Sequence, residues 1–260
     1  MTLINTDGLE YLKFSSMDDD KIVHGIFTRK GGISPQPWAS LNLGGTVGDT
    51  RENVIENRRR IYQVMGRPVE SIFDVWQVHS ADVICTEKPR PLNAPHEKAD
   101  AILTNNPDIT LFMRFADCVP ILLHDPVRKV VGIVHAGWMG TVNKVLAQTI
   151  LTMIEKYGSN PGDIIAGIGP SIGPDHYQVG EDVIEKVKIA FGNQAEELLI
   201  NLNGHSYFNL WRANGILLQH AGVTSVEVSG LCTACDTNRW YSHRAEAGKT
   251  GRFGAFISLV

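Results

Sequence analysis

An α/β or α+β fold with mixed sheets is what this chain predicts, and three observations predict it. Short β-rich runs recur along its length, several at hairpin spacing. Helical patterns stand between those runs rather than gathered at one end. No internal repeat, low-complexity tract or linker marks a boundary, so residues 1–260 read as a single domain.

The elements follow from local pattern. Residues 9–14 and 22–28 read as two strands around the polar turn Asp18-Asp19-Asp20. Arg29-Lys30-Gly31-Gly32 opens a loop whose basic residues and glycines suit an anion, and 40–45 is also irregular. Asp49-Thr50 caps a helix in which Val54, Arg58, Ile61, Tyr62 and Met65 recur at helical spacing, and Gly66 stops it. Residues 72–79 alternate as a strand ending in His79, with 83–87 as its hairpin partner. Three prolines make 88–98 a loop; 99–104 and 110–115 are short strands. An apolar hairpin follows, turning at Asp125-Pro126, with Cys118 opening its first strand and His135 closing its second. One helix is expected over 141–157, stopped by Gly158, then a strand over 163–168 and a rigid loop from Gly169 to Pro174. Two amphipathic helices (181–191 and 208–221) and two strands (224–228 and 253–260) complete the chain.

Composition narrows the function. The chain carries 43% hydrophobic and 20% charged residues and a formal net charge of −4, which gives no general affinity for nucleic acid or membrane. No apolar run is long enough to span a bilayer and no export signal is visible, so a cytoplasmic location is expected. Four cysteines in a chain of this length do not form a disulfide framework.

The hairpin carries the chemistry. Cys118 and His135 become neighbours at its open end, and His79 stands at another strand end. A thiolate with two imidazoles suits zinc or copper and leaves a coordination position open. Cys118 as nucleophile with His135 as base is the other functional pairing, and a buried thiol beside a hydrogen-bonded core histidine is the structural one. Asp117 is a candidate general acid/base by adjacency. Arg29, Asn42, Arg244, Gly169 and Ser171 lie in irregular segments that together suit a phosphate and a polar ring, on which Trp138 can stack. Cys232-x-x-Cys235 lacks a second ligand pair; His243 is a candidate third ligand, and the pair is expected to be dispensable for the chemistry.

HGIFTRKGGIS, SLNLGG, GDTRENVIENR, QVH at 77–79, KADAILT, ADCVPILL, HAGWMGT, IGPSIGPDHYQVG and the tail CTACDTNRWYSHRAEAGKTGR resemble the YfiH/YlmD family, and the tail is closest to its YlmD branch. The resemblance implies a single domain of layered mixed β-sheets flanked by helices. It implies metal ligands at His79, Cys118 and His135 and a pocket near Arg29, Asn42 and Arg244. It further implies a zinc-dependent purine nucleoside enzyme, active in phosphorolysis of adenosine, inosine and methylthioadenosine and in deamination of adenosine. Two other readings stand beside it: a copper-dependent, laccase-like polyphenol oxidase, and a hydrolase that edits peptidoglycan precursors. The chain departs from many relatives at Met139, where they carry a basic residue.

Overall fold

The computed structural model describes all 260 residues, Met1–Val260. The amino-terminal half holds β1 (Thr2–Thr6), β2 (Leu9–Lys13), β3 (Ile22–Phe27), α1 (Arg51–Val64), β4 (Ile72–Phe73), β5 (Val83–Cys85), β6 (Ala101–Thr104) and β7 (Thr110–Phe115). The central hairpin is β8 (Val119–Asp125) and β9 (Val130–Ala136), followed by α2 (Trp138–Val142), α3 (Val145–Tyr157) and β10 (Ile165–Ile168). The remainder is α4 (Glu181–Phe191), α5 (Ala195–Leu198), β11 (Leu199–Leu202), β12 (His205–Phe208), α6 (Leu210–His220), β13 (Ser225–Val228) and β14 (Phe253–Leu259).

Two six-stranded mixed sheets form, ordered β1-β2-β3-β14-β7-β4 and β13-β10-β8-β9-β6-β5, with β11 and β12 as a separate hairpin. Leu111, Met113, Phe115, Phe253 and Ile257 of the first sheet pack against Ile102, Leu122, Val131 and Ile133 of the second. Each fully buried side chain of this kind contributes about 1.5–3 kcal/mol, so the double-sheet core is a rigid platform. The outer face of the first sheet takes Ile61 and Tyr62 of α1. The outer face of the second takes Val145, Ile150 and Met153 of α3, with Val187 of α4 and Ile216 of α6. The result is four layers, helix-sheet-sheet-helices, the mixed α/β architecture expected. Thr50 caps α1, its side chain accepting from Asn53 N–H, and Gly66 past its end has φ +66°.

Three expectations are corrected. The 72–79 segment is a strand only at Ile72–Phe73, paired in parallel with β7. Beyond that the chain bends, because Asp74 is wholly buried among Arg90, Arg114 and His96. The 83–87 segment is therefore not its hairpin partner; β5 pairs in parallel with β6 in the other sheet. The single helix expected over 141–157 is two, α2 and α3, separated by Lys144 at φ +60°. That left-handed residue redirects the axis and lays α3 on the sheet. Strand β1 and the β11–β12 hairpin carry no period strong enough to be foreseen.

Candidate metal centre

The hairpin register pairs Val119 with Ala136 and Pro120 with His135, so Cys118, one residue ahead of β8, lies at the mouth beside His135. His79 comes from the segment that crosses between the sheets, with φ +62°. One ligand atom from each of His79, Cys118 and His135 lies within 4.8 Å of the other two. Cys118 Sγ is 3.8 Å from His79 Nε2, and the two imidazoles meet edge to face at 5.0 Å. Gly137 makes the closure possible, since a Cβ there would stand 2.9 Å from Cys118 Sγ and 3.0 Å from His79 Cδ2. His135 is 4% exposed, whereas His79 and Cys118 are half-buried, so the cluster is open on one side.

Asp100, immediately ahead of β6, braces both histidines. Its Oδ1 lies 2.8 Å from His135 Nδ1, and His135 N–H donates to its carbonyl at 2.8 Å. Its Oδ2 accepts from Ser80 N–H at 2.6 Å, Ser80 Oγ at 3.0 Å and Val78 N–H at 3.2 Å, which fixes the turn carrying His79. With Nδ1 donating to Asp100, Nε2 of His135 is left for the cluster, the carboxylate–imidazole arrangement that orients metal ligands. His79 and Asp117 (φ +82°) are non-glycine residues held in the left-handed region on either side of the cluster. Each costs about 1–3 kcal/mol, a cost found where the surroundings over-determine a functional site.

Electrostatics favour the ligating form of the thiol. Burial pushes Cys118 up, but the imidazoles of His135 and His79 outweigh it and bring the thiol down to about 6. Burial pushes His135 down, and the Cys118 thiolate and Asp100 outweigh it, raising the imidazole to about 9. The metal-free pair is thus thiolate and imidazolium near neutrality, and a soft cation can replace the shared proton. Three donors of this type, braced by a buried carboxylate and open on one side, fit zinc or copper.

The residues expected around the cluster divide into two groups. Asp117 is buried; its Oδ1 accepts from Thr233 Oγ1 at 2.6 Å and its Oδ2 from Arg244 N–H at 2.7 Å. Both oxygens are thus engaged in holding loops together, so its geometry is that of a positioning residue rather than the general acid/base adjacency suggested. Arg244 is exposed; its guanidinium lies 5.2 Å from the Tyr177 ring and donates to the Gln178 carbonyl at 3.0 Å. Tyr177, missed in the sequence, feels the cluster as well as Arg244: burial and then the Cys118 charge push its phenol well up. Trp138 begins α2 half-buried, with Lys186 Nζ of α4 5.2 Å from its ring.

The other group is committed to the framework. Arg29 is buried, stacked on Tyr241 at 4.3 Å, and donates to Ala39 O, Thr237 O and Glu246 Oε1 at 2.7–2.9 Å. Its Nε and Nη1 already serve these partners and tie it to the framework, which leaves only Nη2 for the anion expected there. Asn42 is wholly buried, donates to Gly44 O and Asp49, and accepts from Gly44 N–H and Arg252 N–H. It has no group to spare for a substrate. Ser171 Oγ accepts from Trp211 Nε1 at 2.6 Å, and Gly169 is packed against Ile26 and Pro120, so both shape the loop from inside the fold. The Cys232 segment is tied to the mouth of the hairpin, because Thr233 holds Asp117. Its neighbouring imidazole is His176, 3.8 Å from Cys232 Sγ, and not His243.

No helix is long and apolar enough to cross a membrane. A purine nucleoside phosphorylase of Deinococcus radiodurans is 37% identical over 239 residues, covering 92% of this chain and 89% of that protein. Purine nucleoside phosphorylase YlmD of Bacillus subtilis is 34% identical over 255 residues, covering 94% and 91%. The crystal structure of YlmD from Geobacillus stearothermophilus superposes with a TM-score of 0.92 at 32% identity, covering 98% of this chain and 97% of that one. Residues 23–260 match the family described as multi-copper polyphenol oxidoreductase laccase, and the chain belongs to that laccase-like YfiH/YlmD family.

Proposed function

We propose that this chain is a purine nucleoside enzyme with two activities: phosphorolysis of adenosine, inosine and methylthioadenosine, and deamination of adenosine. The convergence of His79, Cys118 and His135 on one open-sided point carries the reading, together with relatives named purine nucleoside phosphorylase. In phosphorolysis a phosphate oxygen bonds to ribose C1′ as the C1′–N9 bond breaks; the base leaves with the electron pair and a proton. The products are the free base and ribose 1-phosphate, or 5-methylthioribose 1-phosphate from methylthioadenosine. Arg244, the exposed guanidinium over Tyr177, binds the phosphate, its fork suited to two oxygens. Asp117 fixes the Arg244 backbone and the turn before Cys118, so it aligns the phosphate with the cluster. Tyr177 and Trp138 offer flat surfaces for the purine.

In deamination water adds at purine C6 and ammonia leaves. His79, Cys118 and His135 hold zinc, which when bound supplies the Lewis acidity that brings the pKa of water towards about 7. Asp100 keeps His135 presenting Nε2 and keeps the His79 turn in place.

Copper is the rival metal, and the family's description favours testing it. Histidine and cysteine bind it more tightly than zinc. A multicopper oxidase needs many histidines in His-x-His pairs, and this chain has none. The testing experiment screens adenosine, inosine, methylthioadenosine and a phenol against zinc-loaded, copper-loaded and metal-stripped protein, with and without phosphate. Phosphate-dependent base release and metal-dependent inosine formation are expected. Turnover of the phenol alone, in the copper form, contradicts the proposal.

A further inference from the structure

A second group of ligand-type side chains lies outside this centre. Asp175, His176, Cys232 and Cys235 each bring one ligand atom to within 4.8 Å of the others. His176 Nδ1 stands 3.8 Å from Cys232 Sγ, 3.6 Å from Cys235 Sγ and 3.0 Å from Asp175 Oδ1. In a tetrahedral site, zinc bonds of about 2.3 Å to sulfur and about 2.0–2.1 Å to nitrogen put the two donors about 3.6 Å apart. The observed sulfur–nitrogen separations match that spacing.

The backbone is shaped to this cluster. Gly173 N–H donates to Cys232 Sγ at 3.1 Å, the kind of amide-to-sulfur bond that steadies a ligating thiolate. A Cβ at Gly173 would stand 3.0 Å from that sulfur and 2.8 Å from Asp175 Oδ1, so only glycine lets the two loops close here. Both cysteines are free, and the ion-pair partner of Asp175 is His176 alone. Two thiols, a carboxylate and an imidazole therefore meet with no lysine or arginine among them. The Cys-x-x-Cys motif lacked a second ligand pair in sequence, and the fold supplies one from the neighbouring loop.

We propose that Asp175, His176, Cys232 and Cys235 hold a structural zinc ion that locks the Gly169–Tyr177 loop to the Leu231–Cys235 loop. Two thiolates select a soft ion, and the imidazole and carboxylate favour zinc over copper(I). Four protein donors leave no position for water or substrate, so the site is structural rather than catalytic. Its consequence reaches the first centre through contacts already present. Ile172 N–H donates to Asp117 O at 3.0 Å, Thr233 Oγ1 donates to Asp117 Oδ1, and Thr233 N–H pairs with Ser171 O at 3.0 Å. The zinc ties the far ends of two loops whose near ends grip the residue before Cys118.

The test counts metal. Reduced full-length protein is titrated with zinc salt, desalted and weighed by native mass spectrometry, for the wild type, Cys118→Ala, His176→Ala and Cys232→Ser/Cys235→Ser. Two zinc ions per wild-type chain and one in each variant are expected. X-ray absorption of Cys118→Ala should show its remaining zinc bonded to two sulfurs at about 2.3 Å. His176 is exposed, so its truncation keeps the fold even where the double cysteine variant does not. The proposal falls if Cys118→Ala holds no zinc, if His176→Ala keeps the wild-type count, or if protein freshly isolated without reductant carries a Cys232–Cys235 disulfide.

Discussion

The His79–Cys118–His135 centre and the Asp175–His176–Cys232–Cys235 cluster share a construction and differ in donor count. Each seats a cysteine sulfur against a glycine backbone, Gly137 in the first and Gly173 in the second. The first has three donors, two at the mouth of the β8–β9 hairpin and His79 from the segment between the sheets, with a buried carboxylate behind them. The second has four donors on loops, three of them exposed, and no supporting carboxylate beyond its own Asp175. Three donors leave a vertex for chemistry; four close it. Electrostatics divide the two in the same way. Paired imidazoles bring Cys118 down to about 6, whereas burial and then Cys232 push Cys235 up to about 11. A rigid, cation-rich seat makes a thiolate ready to ligate; an anionic loop cluster becomes ordered when a cation arrives.

Cys118→Ala breaks the comparison most severely. Adenosine deamination, followed by ultraviolet absorbance, should fall to background while the overall fold, read by circular dichroism, stands. Asp100→Asn is next: it leaves all three donors and removes their brace, so zinc affinity should fall about 10–100-fold in a competitive chelator titration. An unchanged affinity would make Asp100 a core residue and nothing more.

Arg244→Ala should lower kcat/KM for phosphorolysis roughly ten- to a hundred-fold, the loss of a charge-assisted hydrogen bond of about 1.5–3 kcal/mol. Deamination should change less, because it uses no phosphate. Arg29→Ala should act on stability instead. Removing it takes the ion-pair partner from Glu246 and the hydrogen bonds that join Ala39 and Thr237, at a cost of about 3 kcal/mol. The thermal midpoint should drop by about 6–12 °C. A selective loss of phosphorolysis with no change in melting would restore Arg29 to the substrate site.

The smallest effect is in pH dependence. The depressed Cys118 is thiolate above about 6, and the raised His135 keeps its proton up to about 9. For the metal-free fold the depressed group's contribution is lost as pH falls through about 6, and the raised group's as pH rises through about 9, so the ion pair stabilises between them. From this pair alone, zinc binding displaces one proton in that window, so affinity should rise about tenfold per pH unit. Below the window two protons are displaced and the slope should double; above it the slope should vanish. A flat profile across the window would mean that the pair is not a ligand pair.

The three donors of the first centre were legible because each is a soft residue at the end of a β-rich run, and hairpin geometry alone brings Cys118 beside His135. The strands of the mixed sheets were legible from the apolar runs of β8, β9 and β7, whereas their layering was implied only by the family resemblance. Asp100 was not: in sequence it is one acid at the start of an apolar strand, and only the pairing of β6 with β9 sets it against His135. The second cluster was hidden for a similar reason, since His176 lies in a glycine-proline loop 56 residues from Cys232. The framework role of Arg29 was not legible, because a basic residue beside Gly-Gly resembles an anion cradle while its partner Glu246 is 217 residues away. Local pattern reports what a residue can do; long-range partners decide whether its hydrogen-bonding groups are already engaged.

The central claim is that the open three-donor centre serves a nucleoside enzyme. Phosphorus NMR of zinc-loaded wild-type protein with adenosine and inorganic phosphate tests it most directly. The account predicts a growing ribose 1-phosphate resonance matched by released adenine. Adenosine left intact, or adenine released with no phosphate ester formed, would contradict it.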